Sequence, residues 1–291
     1  MMALGDLLMP RECLVCGRGL GVRERHLCLS CAADVPYTRF WIAAHNPLAD
    51  RFNAVLERHR GTEPMDYAYA AALMYYKGAY RAIPRALKYQ GDLAAGRHYG
   101  ALLGRRLASA PHFADIDLIL PVPLHWTRLR SRGYNQAAIL AHAMADAFRA
   151  SLIPGLTRNL PEVRTDLLVR VRRTRTQTRL SVDQKARNVA SAFQVPDRFP
   201  LWTRLSRLAR WPIGAGHDGR FLSLSKDAPE SPAPESPATV LASAHHILLV
   251  DDTYTTGATL YACYAALRPY TSARISIATL AAVEGTPSAG P

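Results

Sequence analysis

The stretch HHILLVDDTYTTGATLYACYAAL, from His245 to Leu267, constrains the fold more than any other part of the chain. Its apolar run does not alternate with polar residues, so it reads as a strand buried on both faces, the kind found in parallel sheets covered by helices. The run ends in two acidic residues, Asp251 and Asp252. Thr253, Tyr254, Thr255, Thr256 and Gly257 follow as a loop, and ATLYACYAALRPY continues as a helix. A strand, a glycine-bearing loop and a helix in that order place the loop at the carboxyl end of the sheet, where open α/β folds bind ligands.

The rest of the chain supplies partners for that strand. Tyr67 opens a segment for one or two strands, followed by a helix whose apolar residues run through Ile83 and Leu87 to Leu102, Leu103 and Leu107. DLILPVPL, Asp117 to Leu124, reads as a second buried strand ending in a proline-bounded loop, and the residues from Asn135 to Ala150 as an amphipathic helix. The segment from Leu167 to Phe193 begins strand-like, crosses a very basic polar loop and ends helix-like. ARISIATLAAV near the C-terminus is a final strand that closes the sheet. The order predicts an α/β fold with a mostly parallel sheet. No internal repeat is visible.

Two segments stand outside this pattern. Residues 1–36 form a short cysteine-bearing module, and residues 197–243 are rich in Pro and Ser, with APESPAPESPA unable to build a packed core. The latter reads as a disordered insertion, with Trp202 to Trp211 a candidate basic amphipathic helix inside it. It divides one domain into residues 37–196 and 244–291. No long apolar run or secretory leader is present, which predicts a cytoplasmic protein with no membrane span.

Of the five cysteines, four form two CxxC pairs, Cys13 with Cys16 and Cys28 with Cys31, separated by eleven residues. In a reducing compartment that spacing points to one tetrahedral metal, zinc first, and four thiolates leave no open position, so the ion is structural. A redox pair or plain buried thiols are the alternatives, and His26 is a rival ligand. Arg11, Arg18, Arg23 and Arg25 surround the pairs. Cys263 is left to pack in a helix.

A formal charge of +13 favours polyanionic partners, nucleic acid or phosphorylated small molecules, although a general arginine bias gives the same sum. The loop after the central strand is more specific. Asp251 and Asp252 suit vicinal hydroxyls of a ribose, directly or through Mg²⁺, because both are hard oxygen acceptors. Thr255, Thr256 and Thr259 offer hydroxyls, and Gly257 lets the backbone approach a phosphate at the start of a helix. The bland alternative is a capped strand end.

Five ordered motifs, the CLVC and CLSC pair, LKYQGD from Leu87, PVPLHWTRLRSRGYNQ from Pro121, RTRTQTRLSVDQKARNVASAF from Arg173 and VDDTYTTGAT from Val250, resemble the ComF family of competence and phosphoribosyltransferase-like proteins. The resemblance implies a type I phosphoribosyltransferase fold with an N-terminal zinc ribbon and a site for phosphoribosyl pyrophosphate (PRPP) with Mg²⁺. It implies diphosphate contacts from the loop between Pro121 and Trp126 and from Lys88, Arg130 and Arg132. Tyr134 is implied as a stacking group and Asn135 as a hydrogen-bonding one, while Arg173, Arg175, Gln177, Arg187 and Asn188 match a hood-side segment. Partners implied are single-stranded DNA and a competence helicase or other uptake protein. Seven Lys/Arg residues between Arg170 and Arg187 suit a DNA strand. The competing expectation is a Mg²⁺-dependent phosphoribosyltransferase of nucleotide or amine metabolism, for which no acceptor is legible. A PRPP sensor without catalysis is a third.

Overall fold

The computed structural model describes residues 11–59, 66–151, 160–172, 192–199 and 236–285. Its centre is a five-stranded sheet made of β1 (Ala70–Tyr75), β2 (Leu118–Pro121), β3 (Glu162–Val163), β6 (His246–Tyr254) and β7 (Arg274–Ala282), in the order β1-β7-β6-β2-β3. Every pairing in it is parallel. A separate antiparallel pair, β4 (Val169–Arg170) with β5 (Phe193–Gln194), brackets the basic segment. The expected closing strand β7 lies inside the sheet between β1 and β6, and β3, which the sequence did not signal, forms the far edge. With two residues, β3 is too short to show periodicity.

Helices cover both faces, as unalternated strands require. On one side α4 (Leu93–Ala108) and α6 (Gln136–Ala150) pack with Leu248 and Val250 of β6. They lie nearly backbone to backbone, since a Cβ on Gly104 would stand 2.6 Å from Met144 Cα and one on Gly100 3.0 Å from Leu140 O. On the other side α2 (Pro47–His59), α7 (Pro237–Ser243) and α8 (Ala258–Leu267) meet Ile247 and Leu249. Cys263 is buried there, as its helical setting predicted.

The helix expected to run from Ile83 to Leu107 is broken. A short turn of helix, α3 (Ala82–Arg85), widens into a π-helical turn over Ala86–Gln90, and Gly91 with φ of 71° ends it. Asp92 then caps α4, its carboxylate accepting from Ala95 N at 2.8 Å. Apolar spacing survived across the break because both pieces face the same core. One unpredicted helix, α5 (Trp126–Arg132), ends on Gly133 with φ of 82°. Residues 236–243, assigned above to the Pro/Ser-rich insertion, are an ordered capped helix: Ser236 Oγ accepts from Thr239 N at 3.1 Å, and Leu241 is buried. The Trp202 to Trp211 helix lies outside the described residues. Among the described residues no helix is long and apolar enough to cross a membrane.

The cysteine module is not a separate bead. Cys13, Leu27, Cys28 and Val35 join the core on the α4 side. Helix α1 (Leu29–Ala33) starts at Cys28, and Tyr80 donates a hydrogen bond to Cys31 O at 3.0 Å.

Candidate functional site

The chain leaves β2 through α6 toward β3 and leaves β6 through α8 toward β7, with the two helices on opposite faces. Neighbouring strands whose connections diverge in this way open a crevice at their carboxyl ends, the switch point at which α/β folds bind ligands. Pro121 is opposite Val250 in the register, and Val122 N donates to Val250 O at 2.8 Å. Strand β2 stops there. Strand β6 runs on to Tyr254 against β7 alone, so Asp251 and Asp252 lie beyond the end of their β2 neighbour.

Successive strand residues face opposite ways, and the two carboxylates differ accordingly. Asp252 points toward α6 and is buried at 3% exposure. Its Oδ2 meets Lys88 Nζ at 2.7 Å and accepts from Thr253 Oγ1 at 3.0 Å, while Oδ1 accepts from Gln136 Nε2 at 3.4 Å. Burial alone would raise its pKa, but the Lys88 charge and the hydrogen bonds from Lys88 and Thr253 hold it below the ordinary carboxylate value. The same pair keeps the Lys88 ammonium protonated against the desolvation that opposes it.

Asp251 is half-buried and faces the other way, toward Cys263 of α8 and Arg170 of β4. The hydrogen bond recorded for its carboxylate comes from the backbone N–H of Asp252, at 2.8 Å. Burial and the adjacent Asp252 charge push its pKa well above the usual range. A carboxyl in that state holds its proton more tightly than usual, and a cation that reaches it favours the ionised form, the kind of perturbation found at binding sites.

The loop after it is open. Thr255 and Thr256 are exposed, Thr253 and Thr259 half-buried. Gly257 has φ of 79°, and a Cβ there would stand 2.6 Å from Tyr254 Oη, so both conformation and space demand glycine. Sequence reasoning missed what fixes the loop's base. Arg51 of α2 donates to Thr255 O at 2.9 Å and Val283 O at 2.7 Å, and stacks 5.1 Å above the Tyr254 ring. No pattern near Arg51 announces this, because the contacts are to backbone carbonyls 204 and 232 residues away.

Tyr254 is therefore a buried packing residue rather than a ligand-facing one. Tyr134 is half-buried against the core, its hydroxyl donating to Leu87 O. The exposed aromatics nearby are Trp126, 65% exposed, and Tyr89, 72% exposed, the latter under the Arg132 guanidinium at 5.7 Å. Arg132 also donates to Gln136 Oε1. Arg130 is exposed on α5. Asn135 makes its hydrogen bonds within the fold: its Oδ1 caps α6 at Ala137 N, 3.0 Å away, and its Nδ2 donates to Val122 O at 3.0 Å, tying the helix to the β2 loop. In that loop Pro121 and Pro123 have no N–H and Val122 N is already used. The β2 loop thus offers fewer free amides than expected. Arg173, Arg175, Gln177, Arg187 and Asn188 lie outside the described residues.

Cys13, Cys16, Cys28 and Cys31 converge, their Sγ atoms all within 4.8 Å of one another. Cys16 and Cys28 Sγ lie 3.8 Å apart. A tetrahedral ion with metal–sulfur bonds of about 2.3 Å sets sulfurs roughly 3.8 Å apart, so the spacing fits a metal such as zinc. Burial would raise the Cys13 pKa, but backbone N–H groups of Cys16, Cys28 and Val15 draw it down to about 6, whereas burial and the neighbouring thiols push Cys31 up to about 12. His26 faces away, toward Asp92 and His98.

No protein-family model matches the chain, and no curated protein matches it either.

Proposed function

We propose that this chain is a ComF-like protein of type I phosphoribosyltransferase fold that binds PRPP with Mg²⁺ between the carboxyl ends of β2 and β6. The observation that carries the reading is the half-buried Asp251, which stands at the switch point and is followed along the strand by Asp252, Thr253 and Tyr254, then by the turn at residues 255–257, whose exposed Thr255 and Thr256 lead into α8. Hydroxyls of a ribose match the carboxylate, and a phosphate matches Thr255, Thr256, Thr259 and the amides entering the helix. Mg²⁺ neutralises the diphosphate when it is bound with it, and Asp251 is the hard oxygen donor nearest at hand. Arg130 and Arg132 supply positive charge on α5 for the same diphosphate.

Zinc in the four-cysteine cluster is structural, since four sulfurs complete its shell. One zinc per chain by elemental analysis, with loss of folded signal on chelation, is the expected result.

Single-stranded DNA is the macromolecular partner, in DNA uptake. Trp126 and Tyr89 stand exposed beside Arg130 and Arg132, the pairing of stacking rings and phosphate-binding cations that sequence-tolerant strand binders use. Anisotropy of a labelled oligothymidylate checks this: Trp126→Ala with Tyr89→Ala is expected to weaken binding by about 1–3 kcal/mol per lost stack. Unchanged binding removes DNA from the reading and leaves the small-molecule site standing. For that site, calorimetric titration with PRPP and Mg²⁺ is the test, with Asp251→Asn expected to abolish the heat of binding.

A further inference from the structure

Residues 78–92 connect the cysteine module to the switch point through an unusual turn. The π-helical turn Ala86–Gln90 is a rare local geometry, frequent at functional sites. Leu87 O accepts from the Tyr134 hydroxyl, and the Tyr89 ring lies under Arg132. Before the turn, Tyr80 donates to Cys31 O at 3.0 Å; after it, Asp92 stands 3.8 Å from His26 Nδ1. His26 is itself fixed by the cysteine module, where its backbone O accepts from Leu14 N at 2.9 Å. The residue displayed at the centre of this braced turn is Lys88.

Lys88 meets Asp252 at 2.7 Å, and with Thr253 and Gln136 it gives that carboxylate three donors for two buried oxygens. Asp251 keeps part of its surface open. Adjacent acidic residues at a strand end look interchangeable in the sequence, but only one of them is available.

We infer that Lys88 is a positioning residue of this site: its ammonium group commits Asp252 to the interior, leaves Asp251 as the carboxylate that meets the ligand, and sits on a segment tied to the cysteine module through Tyr80. The identity of the ligand rests on the PRPP reading above; the division of labour between the two carboxylates does not.

The test pairs calorimetric titration of the zinc-loaded protein with Mg²⁺ and PRPP with urea unfolding, for the wild type, Lys88→Met, Lys88→Arg, Asp252→Asn and the Lys88→Met/Asp252→Asn double variant. Lys88→Met is expected to weaken PRPP binding by about tenfold to a hundredfold, the cost of removing the support of a ligand-binding group, and Lys88→Arg to recover most of it. In unfolding, the second substitution adds little to the first, because both break one pair. Wild-type affinity in Lys88→Met, a loss that Lys88→Arg does not rescue, or additive unfolding effects would each overturn the inference. A wild type that binds no PRPP removes the proposed ligand, and the unfolding cycle alone then decides on Lys88: non-additive supports it, additive overturns it.

Discussion

The two ends of β6 carry the same kinds of residue and use them differently. At the amino end His246 is 1% exposed, with Nδ1 2.6 Å from Asp115 Oδ1 and Nε2 2.8 Å from Ser276 Oγ. Beside it, Asp117 accepts from the backbone N–H groups of His245 and His246 at 2.8 and 3.0 Å. Serine, histidine and aspartate in a row suggest a hydrolytic relay, yet Ser276 is wholly buried and no substrate reaches it. Every group there is spent on its neighbours. At the carboxyl end Asp252 is treated in the same way, but Asp251, Thr255 and Thr256 are left partly or fully open. What distinguishes a site from a structural knot is therefore which polar groups remain open to solvent, since the residue types are alike.

Breaking the amino end is expected to cost the most stability and no ligand affinity. His246→Ala strands Asp115 and Ser276 and leaves a cavity, about 3 kcal/mol by urea unfolding. A fall in PRPP affinity of the folded variant would erase the contrast between the two ends. Gly257→Ala strikes the carboxyl end, costing about 2 kcal/mol from a strained φ and the approach to Tyr254 Oη. It should weaken the ligand as well, which His246→Ala should not.

Acid sharpens the comparison further. Burial lowers the His246 pKa below its ordinary 6.5, although Asp115 opposes the shift. Below pH 6.5 the unfolded chain takes up a proton that the folded chain refuses, so stability is present above that pH and falls as pH drops toward the folded value. The slope from this one group reaches at most about 1.4 kcal/mol per pH unit. Thermal unfolding between pH 7.5 and 5.5 checks it, and His246→Gln is expected to flatten the profile. The smallest effect is at the link between β2 and α6: Asn135→Ala removes the cap and the bond to Val122 O, about 1 kcal/mol.

How much of this was legible in the sequence follows from the range of each interaction. The buried strand, its acidic end, the loop and helix α8 are contiguous, so pattern alone located them. The two CxxC pairs announced their convergence because thiolate spacing is itself the signal. Strand β3 and helix α5 were missed because two and seven residues carry too little periodicity. The break at Gly91 was hidden by an apolar pattern that continued across it. The different fates of Asp251 and Asp252, the Tyr134 bond to Leu87 O and the Arg51 clamp depend on partners far along the chain. Those partners are invisible until the strands take their spatial order.

The central claim is that the carboxyl ends of β2 and β6 hold PRPP with Mg²⁺ through Asp251. Isothermal titration of the wild type and of Asp251→Asn with Mg²⁺ and PRPP, with urea unfolding of both, addresses it most directly. The account predicts saturable binding by the wild type, and in Asp251→Asn loss of that binding with little change in stability, since the amide keeps the size of a side chain whose raised pKa already leaves it largely uncharged near neutral pH. Absence of binding by folded wild type, or equal binding by Asp251→Asn, would contradict it.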